Sequence, residues 1–207
     1  MLETLTISHV LFTFLIVIFS IILHEIAHGY AAYIQGDETA YRAGRLTLNP
    51  LPHIDPVGSV IVPFLAFSVA GTFFGWAKPV PYNVHNVRGR FGEVFVASAG
   101  VLTNLALAIV AGTAFKIFMM QGLLTETLAQ NIFTVIAVNL SLFLFNLIPI
   151  PPFDGMAIIQ SLFPRLRISS AFIYNPIYLI LAIVVASTIF SALAPVLFSL
   201  VKDILLF

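Results

Sequence analysis

Long apolar runs separated by short polar connections organise this chain of 207 residues. A membrane-spanning helix needs about 20 mostly apolar residues. Ile7 to Tyr33 meets that requirement, and Leu11 to Leu23 within it carry no charge. Val57 to Trp76 is apolar but interrupted by Pro63, Gly71 and Gly75. Glu93 to Met120 is a third run, in which Ala97, Ala99 and Gly100 are small enough for close helix approach. Asn131 to Ile148 is a fourth, ended by Pro149, and Ala171 to Ala194 is a fifth. Pro195 is expected to break the pattern and leave Val196 to Phe207 too short to span alone. The pattern predicts an all-α polytopic membrane protein with about five to six membrane segments, residues 1–207 forming one domain. Ala40 to Pro50 and Trp76 to Asn83 are turn-rich with short alternating pieces, and they read as β-like connections forming a small edge sheet.

Composition agrees. The chain is 60% hydrophobic and 9% charged, against about 25% charged in a soluble domain. Net charge is zero, which gives no reason to expect a nucleic-acid or polyanion partner. There is no cysteine, so a metal site must be built from histidines and carboxylates. The first apolar run is too long for a signal-peptide core, and it is read as a span that stays in the protein.

The basic residues sort the connections. Arg42 and Arg45 form one group, Lys78, Arg88 and Arg90 a second, Arg165 and Arg167 a third. The stretch from Gln121 to Gln130 has none. The positive-inside rule places the three basic groups in the cytoplasm and that stretch outside. Val57 to Trp76 must then enter and leave on one side, as a re-entrant or broken segment. The alternative is a full span that violates the rule once.

Near the end of the first run stands His24-Glu25-Ile26-Ala27-His28. Histidines four apart share a helix face and can bind one metal ion. The glutamate between them is close enough to act on a water at that site. Such a cluster is costly in lipid and needs a reason, and metal-assisted hydrolysis inside the membrane supplies one. The competing reading is a polar pair packed between helices, which is expensive without a metal. His24 lies about nine residues before the cytoplasmic end of its run, hence roughly 14 Å below that surface.

Catalytic zinc takes three protein ligands and keeps one position open. The candidates for the third are His53, Asp55, His85, Glu93 and Asp154. Asp154 follows a stretch broken by Pro149, Pro151 and Pro152. Non-helical backbone at membrane depth is tolerated only where it is buried or lines a cavity. By itself this leaves an interfacial turn with Asp154 as a helix cap equally open. The histidine motif tips the balance to a ligand.

HEIAH in an apolar helix with NLIPIPPFDG far downstream resembles the site-2 protease family of intramembrane metalloproteases. The likeness extends to Gly44–Pro50 (GRLTLNP), Gly75–Pro81 (GWAKPVP) and Ala99–Asn104 (AGVLTN). It resembles a compact branch without a PDZ-like domain, and the helix that precedes the motif in some members is not expected here. The resemblance implies one zinc ion held by His24, His28 and Asp154, with Glu25 as acid and base. It places Asn146 beside the site, holding substrate or the developing oxyanion. It also implies a multi-pass protein of a bacterial or archaeal cell membrane. Its partners would be lipid and a transmembrane protein or peptide, cut near the cytoplasmic side in regulated proteolysis.

His53 is a candidate support or substrate contact, and Asn104 is placed to hydrogen-bond across to the motif helix. Glu93 suits the positive end of a helix, while His9 and His85 read as interfacial. The extended pieces Gly44–Pro50 and Lys78–Asn83 offer an edge for an unwound substrate strand. Two other functions compete. A divalent-metal transporter is disfavoured because neither HEIAH nor the proline-rich break recurs. A catalytically silent scaffold is disfavoured because Glu25 and all three ligands are intact.

Overall fold

The computed structural model describes residues 7–61, 76–89, 91–166 and 176–206. Among these described residues six α-helices follow in order: α1 Ile7–Ile34, α2 Thr39–Arg42, α3 Gly92–Met120, α4 Glu126–Leu147, α5 Asp154–Leu162 and α6 Pro176–Leu206. Four of them, α1, α3, α4 and α6, contain stretches long and apolar enough to cross a membrane. The fifth expected segment, Val57 to Trp76, lies mostly outside the described residues. Its two ends are described and they meet: Trp76 N–H donates to Gly58 O at 3.1 Å, and Ser59 Oγ to Trp76 O at 2.9 Å.

Local chemistry sets the helix ends. Gly36 takes a positive φ of 102° after α1, and Asp37 N–H reaches back to Ala32 O. Gly122 does the same after α3, with Leu123 N–H on Phe118 O. Both are glycine-dependent Schellman stops that satisfy terminal carbonyls. Helix α4 starts five residues before the expected Asn131, because Thr125 caps it by accepting from Leu128 N–H at 3.2 Å. Pro195 does not end α6, which runs on to Leu206. A proline removes one helical donor, but abandoning the helix in lipid would strand many more polar groups.

The expected edge sheet is absent: no strand occurs among the described residues. Side chains capture the backbone instead, Thr47 Oγ1 accepting from Asn49 N–H and Asn49 Oδ1 from Leu51 N–H. In the second segment Pro79 and Pro81 remove the donors that a ladder requires.

Helix α3 is the central element and touches α1, α4 and α5, while α6 packs on α4. Ala31 and Ala32 of α1 pack with Val96 of α3. Ala108 of α3 packs with Ile136 and Leu140 of α4. Contacts between α1 and α3 pair residue 28 with 96 and 24 with 104, so these helices run antiparallel. One end of the bundle therefore carries the connections. There Arg88 N–H donates to Gln35 O, and buried Asp37 accepts from Asn83 N–H and Asn86 Nδ2. Arg42, Arg45, Lys78 and Arg88 belong to these connections; Arg90 and Arg167 lie outside the described residues.

Candidate active site

His24 and His28 are one turn apart on α1 and both are buried. Each ring is oriented through its Nδ1. His28 Nδ1 donates to the Val96 carbonyl at 2.7 Å. His24 Nδ1 lies 2.6 Å from Asn104 Oδ1 on α3. These bonds place the proton on Nδ1 in both rings and turn both Nε2 lone pairs inward.

Asp154, the first residue of α5, completes the cluster. Its Oδ2 lies 3.0 Å from His24 Nε2 and 3.2 Å from His28 Nε2, and the two nitrogens are 3.1 Å apart. Three electron-rich atoms pointing at one another repel unless a cation lies among them. Tetrahedral zinc with bonds of about 2.0–2.1 Å has donor–donor edges of about 3.3 Å. The observed triangle and its donor types fit that ion.

Two glycines make the triangle possible. A Cβ at Gly100 of α3 would collide with His28 Nε2 and lie 2.5 Å from His24 Nε2. A Cβ at Gly155 would lie 2.5 Å from Leu147 C and 2.8 Å from Ile148 O, at the broken end of α4. The sequence Asp154-Gly155 thus lets α5 begin hard against α4, with its carboxylate at the histidines.

Glu25 stands beside His24, and its Oε2 accepts a 2.7 Å hydrogen bond from Val80 N–H. The segment carrying Val80 is held on both sides. Lys78 N–H donates to His53 O at 2.9 Å, and buried Arg45 donates from Nη2 to Lys78 O at 2.6 Å. Burial pushes the Arg45 guanidinium pKa down, against the attraction of Glu25. Burial raises the Tyr82 hydroxyl pKa, and the negative charges of Asp154 and Glu93 add to the rise.

The structure thus brings His24, His28, Asp154 and Asn104 together. His53 is not in the triangle: its Nε2 bonds Thr47 O at 2.9 Å and its carbonyl supports Lys78. Asn146 sits on the last turn of α4, with Nδ2 donating to its own Leu142 carbonyl at 3.0 Å. Two participants are not foreseen from the sequence. Asn139 is 1% exposed, and its Oδ1 accepts from Asn104 Nδ2 at 3.1 Å, extending the His24 support into α4. An asparagine inside the apolar run Asn131–Ile148 is the one signal that points to it. The Val80 amide has none but its two flanking prolines.

Among known proteins, the chain is 43% identical over 155 residues to a Bacillus subtilis protein named "Putative zinc metalloprotease YwhC", covering 71% of this chain and 67% of that one. It is 30% identical over 150 residues to "Putative zinc metalloprotease Rip2" of Mycobacterium tuberculosis, covering 72% of this chain. The match takes in about half of the Rip2 length, 54%. No family model matches the sequence, and no solved structure matches it. The YwhC relationship and the His24–His28–Asp154 triangle agree, and the chain belongs to the site-2 protease family of zinc metalloproteases.

Proposed function

We propose that this protein hydrolyses peptide bonds of membrane-spanning substrates from within the bilayer, near its cytoplasmic face. The carrying observation is the convergence of His24 Nε2, His28 Nε2 and Asp154 Oδ2 inside a bundle of apolar helices, with Glu25 next to them. His24 lies ten residues before the end of α1, about 15 Å along the axis from the end that carries Arg42, Arg45, Lys78 and Arg88. The positive-inside rule supports a cytoplasmic assignment for that end.

One zinc ion would be held by His24, His28 and Asp154, and when bound it supplies Lewis acidity towards water and a peptide carbonyl. Glu25 acts as base and then acid. Its Oε2 is engaged by Val80, so Oε1 takes the proton from water and delivers it to the departing amine as the C–N bond breaks. Asn146, turning from Leu142 O, would donate to the substrate carbonyl oxygen as negative charge develops. A substrate helix must first unwind locally, because its carbonyls are otherwise engaged in helical hydrogen bonds.

The test uses purified protein in nanodiscs with a fluorogenic transmembrane peptide. Glu25→Gln should keep its zinc and lose cleavage by at least about a hundredfold. Cleavage that persisted at the parent rate with zinc bound would refute the mechanism. Zinc flux into vesicles that persisted in this variant, with no cleavage by the parent, would favour a transporter.

A further inference from the structure

We infer that Val80 is a positioning residue: its backbone N–H holds the Glu25 carboxylate in its working orientation. This inference rests on the proteolytic reading above. The sequence Lys78-Pro79-Val80-Pro81-Tyr82 makes the Val80 amide the only backbone donor between Lys78 and Tyr82, because proline has none. That single donor is directed at Glu25 Oε2, at 2.7 Å.

The amide is fixed from three directions. Lys78, two residues before it, is tied by its N–H to His53 O and by its carbonyl to Arg45 Nη2. Pro79 and Pro81 fix their own φ angles on either side and stiffen the segment. Val80 is 5% exposed, and its side chain fills a notch on α1 that exists because residue 29 is glycine. A Cβ at Gly29 would lie 2.9 Å from Val80 Cγ1 and 2.6 Å from Leu46 Cδ2. Gly29 directly follows His28, so the motif helix supplies both the metal-binding histidines and the seat for the strap.

The consequence concerns Glu25. A glutamate has three side-chain torsions, and a free one would sample orientations useless for proton transfer. A hydrogen bond from a rigid amide to one oxygen selects an orientation and commits the other oxygen to chemistry. Displacing a catalytic group by about 1 Å can cost on the order of 100-fold in rate. The role of His53 and Arg45 is then indirect: they hold Lys78, which places Val80.

Two readouts test this. Protein labelled with ¹⁵N-valine in nanodiscs reports the contact without any catalysis. The Val80 amide proton should resonate downfield and move upfield in Glu25→Ala. The second readout is kinetic, with zinc content measured in every variant. Val80→Pro removes the donor and should lower kcat at least about tenfold with KM and zinc unchanged. Val80→Ala keeps the donor but empties the notch beside Gly29, so its kcat should fall by less than that of Val80→Pro. If Val80→Pro fails to fold, replacing Val80 by its α-hydroxy acid removes the N–H while keeping the shape. An unmoved amide resonance in Glu25→Ala overturns the inference, as does a parental kcat in the zinc-loaded proline or ester variant. A parent that binds zinc and cleaves no membrane peptide instead overturns the proteolytic reading, and the resonance test still decides the contact.

Discussion

Asn104 Oδ1 lies 2.6 Å from His24 Nδ1, and both side chains are buried. The carboxamide fixes which nitrogen of His24 faces the ligand triangle, and Asn139 fixes the carboxamide in turn. Asn104→Leu should therefore lower zinc affinity by about 10- to 100-fold, as loss of an outer-shell partner of a histidine ligand does. Asn139→Leu should act in the same direction and less strongly. Competition with a zinc chelator in detergent measures both.

Gly100 has the opposite relation to the histidines, contributing space instead of a bond. A methyl group there meets both Nε2 atoms. Gly100→Ala should weaken zinc binding by about 1–3 kcal/mol, the usual cost of overpacking, while α3 itself gains helix propensity. Metal analysis alongside thermal unfolding distinguishes a lost site from a lost fold.

Asp154 is the only carboxylate in the triangle. Asp154→Ala leaves two neutral ligands and should reduce zinc to near background in metal analysis of purified protein. Zinc content equal to the parent would remove Asp154 from the ligand set.

Asp37 provides a pH test away from the metal. Burial opposes its charge, but Thr39 N–H, Thr39 Oγ1, Asn86 Nδ2 and Asn83 N–H all donate to it, and the net effect lowers its pKa. A depressed folded pKa contributes stability above the unfolded value of about 4, which is lost as pH falls through the folded one. Asp37→Asn should cost on the order of 2 kcal/mol at pH 7. The gap between parent and variant should narrow progressively below about pH 4 in denaturant unfolding.

Local spacing accounts for the part of the site that is legible in the sequence. Two histidines at helical spacing share a face in any helix, so the pairing of His24 and His28 follows from their positions alone. Asp154 is legible only in combination: the three prolines mark a break that suits a helix cap as well as a ligand, and the histidine pair makes the carboxylate a candidate ligand. Gly100, Asn139 and the Val80 amide are not legible, because their importance depends on which residue of another helix or strap stands opposite. The edge sheet fails as an expectation for a related reason. Alternation suggests strands, but Pro79 and Pro81 and the side chains of Thr47 and Asn49 remove or engage the backbone groups that would pair. Pro195 misleads because a lone proline is a weaker constraint than the surrounding demand for satisfied backbone.

The ligand triangle also has a history within each molecule. His28 and Asp154 are 126 positions apart in the chain, with α3 and α4 between them. A chain synthesised from its N-terminus carries both histidines and Glu25 into the membrane long before the carboxylate has been made. The triangle closes only after α3 and α4 are laid down and α5 has brought Asp154 back to the two histidines. If His24, His28 and Asp154 hold zinc as proposed, a truncated or half-inserted chain would offer two ligands and hold the ion poorly, and nascent protein would reach hydrolytic competence only when its bundle is assembled.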